Sequence, residues 1–489
     1  MGAINRTPTC NLLLIMVLSG HYARKDREER SQFSSPCACP VDTLNQKTQK
    51  PKNKDRAERR RQARSRFGLS RSSPLFKLFT ILGPGLIAAN AGNDAGGIAA
   101  FSTAGANYGY NLLWALLVAG FCLAIVQEMC ARMGVVTGKG LADLIREQFG
   151  VRWTVLAMLA LLIANTGVTI SEFIGISASV QVLANDTHTP FVYLIVPLCG
   201  IALWWLVTRG SYRRVEKIFL IMSLGFLAYI PATFAAHPVW SDVGRQIVFP
   251  QVHGSADYVN GYIILAVTLV GTTISPYMQF FVQSSVADKG ISPNEYVYEQ
   301  IELYSGTIFA VAIACFVIIA TGATLFVNHH PVQTALDAAL SLKSFAGQYA
   351  TLLFAIGLFG ASLLAAAVLP LSTSYGICEA FGFERGVSRS FREAPVFQSI
   401  FTGLIILGVL VTLIVPGNLI FPVLLVLQAL NAAMLPILLV FIILLVNNKR
   451  LMGRRVNGIA FNIISWTTVI VITILVILYL LNTIFKVNL

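Results

Sequence analysis

Asn90-Ala91-Gly92-Asn93-Asp94-Ala95-Gly96-Gly97 stands in the middle of an apolar run that spans about residues 76 to 105 and opens with Gly83-Pro84-Gly85. Three glycines weaken a helix there, and a carboxylate at the centre of a bilayer costs about 2.5 to 3.5 kcal/mol even on the lenient insertion scale. The stretch therefore predicts an unwound segment that lines a cavity. A later apolar run repeats the feature: Gly271-Thr272-Thr273-Ile274-Ser275-Pro276 puts a proline where it removes a helix hydrogen bond.

The composition supports a membrane setting for both runs. Of 489 residues, 55% are hydrophobic and only 12% charged, too little polar surface for a soluble globule of this size. Spanning-length apolar segments recur at about 76–105, 112–134, 153–182, 190–208 and 216–235. A second series follows at about 260–286, 301–327, 347–380, 397–415, 419–446 and 458–484. These predict an all-α polytopic protein of eleven helices over residues 76–489. The eight cysteines are not a disulfide framework, since five lie in or beside apolar segments as small buried hydrophobes. Cys37 and Cys39 alone lie paired in polar sequence, and a lone C-A-C is a weak metal signal.

The net charge of +13 belongs mostly to one end. Residues 1–72 hold 16 of the 36 Lys and Arg but 6 of the 23 Asp and Glu. Residues 1–75 thus read as a disordered, basic cytoplasmic tail, peaking at Lys50 to Arg66, and not as a nucleic-acid surface. Contact with anionic lipid is its functional reading and a solvated extension its plain one. Leu12 to Leu18 is too short to span a bilayer. With the tail inside, the inside loops carry fifteen Lys and Arg, while outside lie Arg245, Lys343 and Lys486. The positive-inside rule then places the N-terminus in the cytoplasm and the C-terminus outside the plasma membrane. Asn185-Asp186-Thr187 is a sequon in an outside loop.

The two broken spans are the first members of two consecutive sets of five. If the sets repeat with inverted topology, the breaks meet at the membrane midplane, where freed carbonyls and half-helix ends coordinate an ion. Asp94 needs a cation or a proton, because no Lys or Arg lies in the central part of any span. Of the other acidic residues, Glu128 and Glu172 are read as lying within spans. Glu128 has Arg132 at i+4, which predicts a local ion pair. Glu172 has no such partner and reads either as a carboxylate behind the ion ligands and proton acceptor, or as a buried protonated structural residue. His237, His253, His329 and His330 lie in outside loops without ligand spacing, and no phosphate loop or nucleophile motif suggests an enzyme.

From residue 76 onward the chain resembles the Nramp family of divalent-metal transporters. Gly83-Pro84-Gly85 and Asp94-Ala95-Gly96-Gly97 align on that family's GPG and DPGN signature, and Gly134 to Lys139 on its turn after span two. Glu172-Phe173-Ile174-Gly175 matches the span-three glutamate segment, and Gln428 with Pro436 the span-ten glutamine and proline. The resemblance implies a leucine-transporter-like fold, two inverted five-helix repeats (spans 1–5 and 6–10) plus an eleventh helix. The departures concern the site. Gly97 replaces an asparagine, Ser275 the metal-binding methionine, Tyr277 a histidine linked to proton movement, and Thr169 an acidic residue. Such replacements are similar to those of divergent Nramp-related magnesium transporters, which implies Mg²⁺ transport without proton coupling.

Losing a thioether removes preference for soft ions, and small residues leave room for the water that Mg²⁺ keeps. The predicted metal site is Asp94 with Thr272, Ser275, Gln428, carbonyls around Ala91, and space at Gly97; Glu172, Tyr277 and Thr169 are candidates for the proton path or outer contacts. The leading expectation is a monomeric secondary transporter of Mg²⁺, with some Mn²⁺, embedded in the lipid bilayer and needing no cofactor. The alternatives are a proton-coupled importer of Mn²⁺ or other transition metals, and a sensor or scaffold that has lost transport.

Overall fold

A computed structural model describes residues 93–208, 221–222, 224–251, 256–290, 296–386 and 391–485. The chain divides into two units, 1–73 and 74–489, and every described residue belongs to the second. The readings of the tail, of Gly83-Pro84-Gly85, of Ala91 and of His253 lie outside the described residues.

The described part is almost wholly helical. From its start run α1 (Ala95–Tyr108), α2 (Leu113–Thr137), the short amphipathic α3 (Leu141–Phe149), α4 (Val151–Ala184) and α5 (Val192–Thr208). After them come α6 (Tyr229–Ala235), α7 (Trp240–Val248), α8 (Ala256–Thr273), α9 (Pro276–Lys289) and α10 (Tyr296–Thr321). The bundle is completed by α11 (Ala335–Leu340), α12 (Ala350–Phe381), α13 (Pro395–Ile414), α14 (Ile420–Val446) and α15 (Ile459–Phe485). Among the described residues, eight helices or helix pairs are long and apolar enough to cross a membrane. The fourth and fifth expected spans appear as the shorter apolar helices Val192–Thr208 and Leu224–Ala235, and α1 is the described part of the first.

The polarity of the surface identifies an integral membrane protein. On α15, Ile463, Ile470, Ile474 and Ile477 recur on one face and are exposed, an arrangement that water would penalise and lipid accepts. At the centre, α4 and α12 make the most extensive helix pair, and α14 packs on both α4 and α8. The core there is built from small residues. At Gly175 a Cβ would overlap Ala95 and Ser362, at Gly96 it would overlap the Gln428 side chain, and at Gly271 the Gln428 carbonyl. These close approaches draw α4, α14 and the two helix breaks to one point.

Two further buried acidic residues lie in apolar helices away from Glu172. Glu128 and Arg132 form the expected i,i+4 pair at 3.2 Å. Glu379, in the last turn of α12, is a further acidic residue within an apolar span and is buried.

Candidate functional site

Both breaks form, and each ends as the start of a new helix. Asp94 is extended (φ −75°, ψ 179°) and caps α1, its Oδ1 accepting from the Gly97 N–H at 2.6 Å. A carboxylate is favoured there because it meets otherwise unpaired amides and the positive end of the helix dipole. Ser275 is likewise extended (φ −75°, ψ 137°) between α8 and α9, and Pro276 takes the first position of α9, where its missing N–H costs no helix bond.

Around Asp94 the structure gathers most of the residues singled out from sequence. Its second oxygen, Oδ2, is buried and has no hydrogen-bond partner among the protein atoms. Thr272 and Gln428 flank the carboxylate closely enough to act on it. Thr272 Oγ1 and both amide atoms of Gln428 are themselves buried and unpartnered. Glu172 reaches the same helix end: its Oε2 accepts from the Ala95 N–H at 3.4 Å, while Ser171 donates to Oε1 at 3.2 Å. Its approach depends on Gly175, one turn further along α4, whose missing side chain lets α1 start against that helix. Tyr277 is buried within electrostatic range of both carboxylates. Thr169 lies one turn before Glu172 on α4, wholly buried, its hydroxyl unpartnered.

Two candidates serve differently from a free ligand. Gly97 presents its N–H to Asp94, so its backbone fixes the carboxylate. The Ser275 hydroxyl donates to the Gly271 carbonyl at 3.3 Å and accepts from Asn431 Nδ2 at 2.9 Å. One lone pair of that oxygen remains for an ion.

Sequence reasoning missed Asn431 and Asn93. Asn431, one turn beyond Gln428 on α14, also donates to the Gly271 carbonyl at 2.8 Å, so it satisfies a backbone acceptor freed by the second break. Its signal was spacing: Gln428 and Asn431 are i,i+3 polar residues on an apolar helix. Asn93 is buried and both its amide atoms are unpartnered; its signal was its place beside Asp94 in the stretch read as unwound.

The oxygens of this group are hard donors. Asp94 Oδ2, Thr272 Oγ1 and Gln428 Oε1 are buried oxygens, one of them charged. Buried polar atoms in such number are costly unless something polar meets them. Among the described residues no group of three or more His, Cys, Asp or Glu gathers to hold a metal; what surrounds Asp94 is neutral oxygen plus Glu172. Such a set suits an ion that keeps part of its water and is released again.

Comparison with known proteins bears on the fold and the family. The divalent metal cation transporters MntH of Staphylococcus aureus strains JH9 and Newman are each 26% identical over 433 residues, covering 84% of this chain and 93% of theirs. In structure, a manganese transporter of Eremococcus coleocola superposes with a TM-score of 0.65 at 16% identity, covering 85% of this chain and 89% of that one. MhsT in complex with L-phenylalanine superposes at 0.55 and 16% identity, covering 81% and 97%. These likenesses establish the leucine-transporter-like fold expected from the two broken spans. The model of the Nramp family, natural resistance-associated macrophage protein-like, matches residues 85–482, and the chain belongs to that family.

Proposed function

We propose that the chain carries divalent metal ions across the membrane by alternating access, with Asp94 as the charged ligand. The observation that carries this reading is the Asp94 carboxylate, wholly buried and in no ion pair among the described residues, flanked by Thr272 and Gln428 where both helix breaks meet. The names of the MntH relatives and of the manganese transporter support the substrate class. One chain suffices, because both breaks come from it, and we place it as a monomer in the plasma membrane with its basic tail inside.

The all-oxygen donor set favours Mg²⁺ and Mn²⁺ over thiophilic ions, and we take Mg²⁺ as the preferred substrate because no thioether stands at Ser275. Tyr277 and Thr169, in place of two titratable groups, support movement without proton coupling. A second reading, a proton-coupled Mn²⁺ importer, is favoured by the position of Glu172, a carboxylate beside Asp94 on the same helix end. Proteoliposomes loaded with a pH-sensitive dye test both under a clamped membrane potential. Mg²⁺ uptake exceeding Mn²⁺ uptake, without internal acidification, is the expected result. Acidification in proportion to metal, abolished by Glu172→Gln, establishes the coupled reading instead. No uptake of any divalent ion by folded protein refutes transport.

A further inference from the structure

The turn that joins α14 to α15 carries Lys449, Arg450, Arg454 and Arg455, and no Asp or Glu occurs anywhere from residue 394 to 489. A merely solvated loop would be loosely held, but this one is built. It consists of one helical turn, Lys449–Met452, and one 3₁₀ turn, Gly453–Arg455. Met452 is buried. Asn447 and Asn462 exchange amide hydrogen bonds at 2.7 and 2.9 Å across the base of the turn. Asn448 accepts from the Arg450 N–H at 3.0 Å and donates to Gln148, at the end of α3, at 3.0 Å. Arg132 of α2 donates to the Arg455 carbonyl at 3.3 Å and to the Asn457 side chain.

The neutral groups of the turn are thus spent on holding its shape, and its charges are left outside. Lys449, Arg450 and Arg454 are exposed, and no ion pair among the described residues includes them. The carboxylates beside the residues that hold the turn are already engaged, Glu128 with Arg132 at 3.2 Å and Glu147 with Lys139 at 2.5 Å. Like charges fixed on one short turn repel, and an anion from outside the chain relieves them. The flanking residues set the depth at which that anion lies. Ile459, the first residue of α15, is 82% exposed, and Leu444, near the end of α14, is exposed as well. Both suit lipid, so lipid-facing side chains stand five residues before Lys449 and five after Arg454. Trp153, exposed at the start of α4, sets its ring against Phe441 of α14 at 6.3 Å, and tryptophan collects where hydrocarbon meets headgroups.

We propose that this turn is a docking site for anionic phospholipid headgroups, with Lys449, Arg450 and Arg454 drawing the phosphate oxygens. Each basic side chain near an anionic bilayer surface adds to the attraction. Because Asn448 ties the turn to α3 and Arg132 ties it to α2, the headgroup meets a fixed part of the bundle. Which leaflet supplies the lipid rests on the orientation proposed above; the binding itself does not, and neither does it depend on the transported ion.

The full chain in nanodiscs, crosslinked to a photoactivatable phosphatidylglycerol and mapped by mass spectrometry, tests the site, with labelling elsewhere on the chain as the internal reference. Wild-type protein should be labelled between Asn447 and Ile463, and a phosphatidylcholine probe with the same acyl chains should label that segment about tenfold less. Lys449→Gln with Arg450→Gln and Arg454→Gln should bring phosphatidylglycerol labelling down to the phosphatidylcholine level. Arg450→Lys with Arg454→Lys, which keeps the charge, should retain it. Equal labelling by the two probes in wild-type protein, or an undiminished preference in the neutralised variant, overturns the proposal and leaves the turn only the charge that sets topology. Loss of labelling in the charge-keeping variant also overturns it, because charge is then not what binds. If the neutralised variant does not fold, Arg454→Gln alone takes its place, and an unchanged preference there overturns the proposal. Loss of labelling on adding inorganic phosphate at constant ionic strength would make a free anion the ligand and overturn the lipid.

Discussion

The helix breaks at Asp94 and at Ser275 use one device with opposite electrical content. At the first, the new helix starts under a carboxylate that spends one oxygen on its own cap and keeps the other for the site. A second carboxylate, Glu172, takes the Ala95 amide of the same helix end. At the second, the new helix starts with proline, which needs no cap, and the freed Gly271 carbonyl is held by two neutral groups, Ser275 and Asn431. Charge is thus concentrated at one break, and the other contributes shape and neutral oxygen. It follows that changes at the first break should remove binding, and changes at the second should tune it.

The largest expected effect is that of Asp94→Asn. The amide can still accept from the Gly97 N–H, so the cap and the fold should survive, but the charge that holds a divalent ion is gone. Uptake into proteoliposomes should fall to background while the protein remains monodisperse. Near-normal uptake would mean that Glu172 is the charged ligand and that the contrast between the breaks is misassigned.

Next in size is Gly271→Ala. Here the added Cβ meets the backbone carbonyl of Gln428 and the Ala432 Cβ at 2.8 Å, and α8 and α14 must separate. Thermal stability and metal binding should fall together, in contrast to Asp94→Asn, which should lower only binding. Asn431→Ala should act more gently. It leaves the Gly271 carbonyl with the Ser275 hydroxyl alone and costs about 1–3 kcal/mol if that carbonyl goes unsatisfied. A lowered unfolding midpoint with uptake reduced only a few-fold is expected. Unchanged stability would show that the Ser275 contact alone satisfies the break.

Both breaks were legible in the sequence because their chemistry is local. Glycines with an aspartate, or a proline, inside an apolar run contradict a continuous helix whatever surrounds them. Glu172 was legible for the same reason, as a carboxylate in an apolar helix, whereas Gln428 was reached through the resemblance to the Nramp family. What the sequence did not show is partnership across the chain. Asn431 satisfies a carbonyl 160 positions away, and nothing near either residue says so. The fourth and fifth spans are described over Val192–Thr208 and Leu224–Ala235, and within the latter Leu224–Ala228 is a 3₁₀ segment where a continuous α-helix was expected. Apolar composition sets where a segment lies more firmly than its backbone form. Glu379 escaped attention because it lies at a span end, where an acidic residue looks solvated. Its burial depends on Gly140, far away in sequence, where a Cβ would overlap the Glu379 carboxylate.

The smallest and most discriminating change is Ser275→Met. The substitution removes a hydroxyl that donates to the Gly271 carbonyl and accepts from Asn431. Asn431 keeps its own bond to that carbonyl at 2.8 Å, so the break should hold. The flexible methionine can reach into the space beside Asp94 and adds a soft donor to a set of hard ones. The carboxylate is untouched, so overall affinity for divalent ions should change little. Preference should change instead, with Cd²⁺ gaining on Mg²⁺ by about tenfold, or about 1.4 kcal/mol. Adding Gly97→Asn should enlarge the gain by filling space that a hydrated Mg²⁺ uses. Calorimetric titration with the two ions measures the ratio directly. An unchanged ratio in folded protein would show that the second break lies outside the ion's coordination sphere, and that Asp94 with its neighbours on α1 and α14 sets selectivity alone.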